Sequence, residues 1–172
     1  SFFDPGATGD ELSVSFFELL KATGATADAS ESAQKTAHDA VSPYLDPAFQ
    51  LLRANGDRYL ASNYIPPDVH GFTIDNVQAS SPAAGLIVAR YNVTVEGEST
   101  LDSQVALSDV SAPRLTSFHW NDDAQMWQVL SHANFNTPVT AICDQELTTG
   151  NYEGKLTTSA AGQKLGADFD LA

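Results

Sequence analysis

Apolar positions follow two different periods along the chain. In the first part, "DELSVSFFELLKATG" spaces Leu12, Phe16, Leu19 and Leu20 three and four residues apart, the spacing of one helix face. Ser15 and Glu18 offer this helix a capping box, and Gly24 a C-terminal stop. "TADASESAQKTAHDAVSP" carries a narrower stripe, Ala33, Ala37, Ala40 and Val41, with Asp28 and Glu31 as its box and Pro43 as its end. "LDPAFQLLRANG" predicts a third helix, with Asp46 as N-cap, Pro47 at the first helical position and Asn55–Gly56 as the stop.

After Gly56 the period shortens to two. "GFTIDNVQAS", "GLIVARYNVTV", "STLDSQVALSDV", "RLTSFHW" and "MWQVLSHANF" read as strands, separated by polar, Pro or Gly breaks. Short connections between consecutive strands predict an antiparallel meander. Helices first and strands second make an α+β protein, with the helices covering one face of the sheet. The tail, rich in Thr, Ala and Gly, reads as an extension packed along the domain. The organisation expected is an N-terminal arm and helix (1–27), a main domain (28–137) and a C-terminal extension (138–172). Phe2 and Phe3 are expected to anchor the arm.

The last two strands give a register. With "NDDAQ" as the turn, Trp120 pairs with Trp127, Phe118 with Val129, Thr116 with Ser131 and Arg114 with Ala133. One face then collects Phe118, Trp120, Trp127, Val129 and Phe135, and meets the helices. The other collects Ser117, His119, Gln128, Leu130, His132 and Asn134. Both histidines thus face away from the interior, on different rungs. A single β-bulge would turn His132 inward.

Composition sets bounds. The 172 residues suffice for one sizeable core, and 42% hydrophobic with 17% charged residues suits a globular protein. The net charge of −14, with no basic cluster, repels phosphate backbones and anionic lipid, so neither nucleic acid nor membrane is expected as a partner. With no apolar run of spanning length, the chain reads as soluble, either cytoplasmic or exported with a leader already removed. One cysteine, Cys143, excludes an internal disulfide and a cysteine-based zinc site. His38, His70, His119 and His132 have no ligand spacing, so no metal is expected, and no nucleotide-binding or hydrolase signature implies a cofactor.

This order of elements, closed by "HWNDDAQMWQVLSHANF", resembles the NTF2-like superfamily, and within it the SnoaL-like and DUF4440-like branch. The resemblance covers roughly residues 28 to 137. It implies a cone, in which a curved antiparallel sheet wraps the N-terminal helices and leaves a pocket at the open end. It also implies a homodimer through the outer sheet face. Members include isomerases, cyclases and dehydratases as well as binding and assembly modules. Pro43 and Pro47, the two extensions and the position of the histidine in "SHANFN" depart from the pattern.

A pocket on such a fold would hold a small, largely apolar molecule, and that is the leading expectation. Acid–base chemistry at a carbonyl is the alternative, and a non-catalytic protein-interaction module the third reading. The chemistry needs a base and an oxyanion donor. Asp75, His132 and His70 are the candidate bases; Tyr59, Tyr64, Tyr91 and Asn134 are the candidate donors. Tyr91 shares a strand face with Ile87, Ala89, Val93 and Val95 and is expected to point inward. The catalytic set is therefore Asp75, His132 and Tyr91. The ligand-binding set is Tyr59, Tyr64, Tyr91, Phe118, Trp120, Trp127 and Asn134.

Overall fold

A computed structural model describes residues 1–26, 28–53, 56–96 and 111–135. These lie within one compact unit, Ser1–Asn136. The expected strand over 99–110, Cys143 and the C-terminal extension fall outside the described residues.

Helix α1 spans Gly9–Thr23 and buries Leu12, Phe16, Phe17 and Leu20. Its capping box lies two turns earlier than Ser15 and Glu18. The Thr8 hydroxyl accepts the Glu11 N–H at 3.3 Å, and the Glu11 carboxylate accepts the Thr8 N–H at 2.8 Å. Ser15 and Glu18 are mid-helix because the apolar stripe extends back through Leu12 and Gly9. Gly24 does end α1, but in extended backbone. It is glycine because a Cβ there would lie 2.0 Å from the Pro67 carbonyl oxygen. Helix α2, Glu31–Val41, is capped by Ser30 rather than Asp28. It buries only Ala37 and Val41 of the expected stripe. Pro43 then falls in a 3-10 turn, Ser42–Tyr44.

The third expected helix is a strand. β1 spans Leu45–Leu52, and its burial alternates from Phe49 on: Phe49 and Leu51 inward, Gln50 and Leu52 outward. Over so short a segment the apolar residues fit both periods, and pairing with neighbouring strands decides between them. Asp46 is not a helix cap; its Oδ1 accepts the Ala48 N–H at 2.8 Å. Pro47 is tolerated because β1 bulges away from its neighbour between Leu45 and Gln50.

The remaining strands are β2 (Arg58–Leu60), β3 (Gly71–Ala83), β4 (Leu86–Glu96), β5 (Ala112–Asn121) and β6 (Met126–Asn134). They form one curved, unclosed sheet in the order β2-β1-β6-β5-β4-β3. β3 to β6 pair antiparallel in turn, but β4 pairs directly with β5, where the expected meander had the run 99–110 between them, and β1 runs parallel to β6, which makes the sheet mixed. α1 lies on the inner face, where Gly9 permits contact with Ala79; a Cβ on Gly9 would come within 2.3 Å of the Ala79 Cβ. The arm closes one end. Phe2 is buried and packs on Tyr44 with ring centroids 5.2 Å apart, while Phe3 is 61% exposed. Trp127 donates its backbone N–H to Phe2 and its indole N–H to the Asp4 carbonyl. Among the described residues no helix is long and apolar enough to cross a membrane.

Candidate functional site

The site is created by one extra residue. Trp120 pairs with Trp127 and Phe118 with Val129, as the hydrophobic pattern predicts. Then β6 bulges at Leu130, and the register shifts by one. Thr116 faces His132 instead of Ser131, and Arg114 faces Asn134 instead of Ala133. Strand side chains alternate, so the shift exchanges the two faces beyond the bulge. His132 is buried, and Phe135, expected inside, is 49% exposed.

Two consecutive inner rungs now carry polar groups. One is Tyr91, Arg114 and Asn134; the next is Ala89, Thr116 and His132. A hydrogen-bonded chain links them. The Tyr91 hydroxyl lies 2.8 Å from Thr116 Oγ1, which lies 2.8 Å from His132 Nδ1. α1 covers this chain with aromatic rings. Phe16 is 5.1 Å from the His132 ring and Phe17 is 6.1 Å from Tyr91, both edge-on.

Burial sets the charge states. Desolvation, with the Arg114 cation second, lowers the His132 pKa to about 3, so the imidazole is neutral at pH 7. Desolvation also lowers Arg114 to about 10 and raises Tyr91 well above its usual value. Arg114 stays cationic and Tyr91 stays a phenol. Either hydroxyl can donate in the Tyr91–Thr116 bond. Where Thr116 donates to Nδ1 the ring proton sits at Nε2, and where Nδ1 donates to Thr116 the Nε2 is an acceptor. Nε2 has no hydrogen-bond partner among the described residues. The arrangement presents one neutral imidazole nitrogen, Nε2, beside Phe16, within an aromatic wall.

The other candidates are dispersed. Asp75 is exposed on the outer face of β3, its carboxylate accepting from Asn76 at 2.9 Å. It is not an interior base, because it pairs with Asn92, which alternates outward from Tyr91 and Val93. His70 is exposed, 2.7 Å from the Asp68 carboxylate. His119 lies on the outer face, 2.8 Å from Asp46. Tyr59 is half-buried, with the Arg53 guanidinium 5.0 Å from its ring centre. Tyr64 is buried against Phe49, and its backbone carbonyl accepts from His38 Nδ1. Burial raises the Tyr64 pKa. Phe118 and Trp127 are core residues, and Trp120 sits edge-on to Trp127 at 5.6 Å. Of the expected set, Tyr91, His132 and Asn134 come together. Sequence reasoning passed over Thr116, Arg114, Phe16 and Phe17 as site residues. Period two counted back from Phe118 already puts Thr116 and Arg114 on the inner face.

Among the described residues no group of three or more His, Cys, Asp or Glu is gathered as a metal site would need. An open groove of about 510 Å³ lies elsewhere, between the start of β1 and β2, lined by Pro47, Phe49, Gln50 and Leu60 among others. It holds no titratable side chain.

No family model matches the sequence, and no curated protein matches it. Solved structures do. An NTF2-like protein from Cytophaga hutchinsonii is similar with a TM-score of 0.54 at 10% identity, over 76% of this chain and 100% of that one. An NTF2-like protein of unknown function in nutrient uptake from Rhodospirillum rubrum is similar at a TM-score of 0.49 and 9% identity, over 70% and 94%. A domain of unknown function with a cystatin-like fold from Nostoc punctiforme is similar at 0.44 and 12%, over 95% and 96%. Identities this low speak for the fold alone, and the first of these carries the conclusion. Two helices on a mixed, curved, unclosed sheet, in this strand order, make this chain an α+β protein with the fold of the NTF2-like superfamily.

Proposed function

We propose that the domain binds a small, largely apolar molecule inside the cone, at the Tyr91–Thr116–His132 chain. The observation that carries the reading is the buried imidazole whose Nδ1 is held by Thr116 while Nε2 has no partner among the described residues. With Thr116 donating to Nδ1, Nε2 carries the ring proton, and a ligand acceptor there would add a hydrogen bond worth about 0.5–1.5 kcal/mol. The surroundings, Phe16 and Phe17, suit an apolar body with one acceptor such as a carbonyl or ether oxygen. Acid–base chemistry is less well supported. An imidazole with a pKa near 3 is a weak base, and Asp75 lies on the outer face.

Native mass spectrometry of freshly purified protein tests this, repeated after denaturation. The expected result is an extra mass of a few hundred daltons that unfolding releases, and that His132→Phe fails to retain. A protein that carries no extra mass and binds no member of a panel of small apolar carbonyl compounds saturably refutes the reading.

A further inference from the structure

The interior polar chain has a direction. Thr116 is fully buried, and among the described residues its hydroxyl has two hydrogen-bond partners, Tyr91 Oη and His132 Nδ1, each at 2.8 Å. A hydroxyl carries one proton, so Thr116 donates to one partner and accepts from the other. The neutral imidazole of His132 likewise holds one proton. Two arrangements satisfy both bonds. In the first, Tyr91 donates to Thr116, Thr116 donates to Nδ1, and the ring proton sits on Nε2. In the second, Nδ1 donates to Thr116, Thr116 donates to Tyr91, and the tyrosine keeps its own proton for another acceptor.

The two ends of the chain therefore always differ in character. When Nε2 is a donor, Tyr91 has spent its proton and offers only lone pairs. When Nε2 is an acceptor, Tyr91 offers its proton. A molecule that reaches both ends needs one donor and one acceptor. Tyr64 points independently to a polar group at the Tyr91 end. It is 2% exposed, its ring lies 5.4 Å from that of Phe49, and His38 Nδ1 holds its backbone carbonyl at 2.8 Å. Tyr91 is near enough to add to the upward push that burial gives the Tyr64 pKa. Yet the two hydroxyls are not bonded to each other, and Tyr64 Oη has no hydrogen-bond partner among the described residues. A buried hydroxyl without a partner is unfavourable, and a ligand oxygen between the two phenols satisfies it.

We propose, building on the binding reading above, that the ligand is a hydroxy-carbonyl compound. One of its two polar groups meets His132 Nε2, and the other sits between Tyr91 and Tyr64. With the carbonyl at Nε2–H, the ligand hydroxyl donates to Tyr91 and accepts from Tyr64. With the hydroxyl donating to Nε2, both phenols donate to the carbonyl, which has a lone pair for each. A diketone sets lone pair against lone pair at one end in either arrangement. A diol leaves one hydroxyl proton without an acceptor, beside Phe16 in the first arrangement and between the phenols in the second.

The test titrates the full chain calorimetrically with four compounds on one decalin skeleton: a ketone, and a hydroxy-ketone, diketone and diol with one group on each ring. The hydroxy-ketone should bind about tenfold more tightly than the diketone or the diol. Two-bond nitrogen–proton correlations of His132 should show a single tautomer in that complex. Thr116→Val uncouples the ends and should bring the diketone within about threefold of the hydroxy-ketone, whereas Thr116→Ser, which keeps the hydroxyl, should retain the preference. Tyr64→Phe should weaken the hydroxy-ketone more than the simple ketone. If the valine variant does not fold, the parent and the serine variant still decide. Equal binding of hydroxy-ketone, diketone and diol, or a preference that survives Thr116→Val, overturns the proposal and leaves the binding reading standing. Saturable binding of none of the four removes that reading and the proposal with it.

Discussion

Replacing Thr116 by valine should unravel the interior polar chain without changing its shape. Thr116 has no exposed surface, and its hydroxyl is the shared partner of Tyr91 and His132, each at 2.8 Å. Valine supplies a methyl group of similar size, so no cavity opens. Two buried polar atoms, Tyr91 Oη and His132 Nδ1, lose that partner together. Each loss costs about 1–3 kcal/mol, and burying the new methyl returns about 0.8 kcal/mol. A net loss of about 1–5 kcal/mol follows, a large part of a typical stability of about 5–15 kcal/mol. For a domain of this size that lowers Tm by about 2–20 °C. Urea unfolding followed by circular dichroism measures it. A cycle with Tyr91→Phe sharpens the test. In the T116V background, removing the tyrosine hydroxyl removes one of the orphaned groups, so it should cost about 1–2 kcal/mol less than in the parent. A T116V variant within about 0.5 kcal/mol of the parent, or strictly additive costs, would refute the idea that these three groups act as one buried unit.

The same burial makes His132 a source of acid sensitivity. Its pKa is about 3 when folded against 6.5 in the unfolded chain, so below 6.5 the unfolded state binds a proton that the folded state refuses. Stability should therefore fall with pH from about 6.5 toward 3, by about 2 kcal/mol from this residue between pH 7.5 and 5. His132→Gln should flatten that slope in urea unfolding, and parallel slopes for the two proteins would speak against it. Phe2→Ala should cost about 3 kcal/mol, because Phe2 is 5% exposed and clamps Trp127. Tryptophan emission should shift to the red as the arm lifts, and an unchanged spectrum would count against the clamp. Gly9→Val should destabilise by about 1–3 kcal/mol through its clash with Ala79, despite a helix propensity that favours the change. Gly6→Ala, which would meet only Asp4 Oδ1 at 3.4 Å, is the near-neutral control.

Much of this architecture follows from the sequence through local rules. The α1 stripe at Leu12, Phe16 and Leu20 has a period that only a helix can bury on one side. β3 to β6 alternate clearly enough to mark strands, and the tight polar turn after Trp120 fixes its pairing with Trp127, but the direct pairing of β4 with β5 across the run 99–110 belongs to the fold. Tyr91 inward and Asn92 outward is likewise a matter of counting by two. Two features were decided only in three dimensions. "LDPAFQLL" satisfies a helix period and a strand period alike over eight residues. The place beside β6, where Leu45, Gln50, Leu51 and Leu52 find partners, makes it a strand. The site itself hangs on the bulge at Leu130. No residue type there announces an extra position in the ladder, yet that one residue reverses every side chain beyond it, taking His132 in and Phe135 out. A strand's side chains are local in their alternation, but which of them faces the core depends on register, and register is a property of two strands.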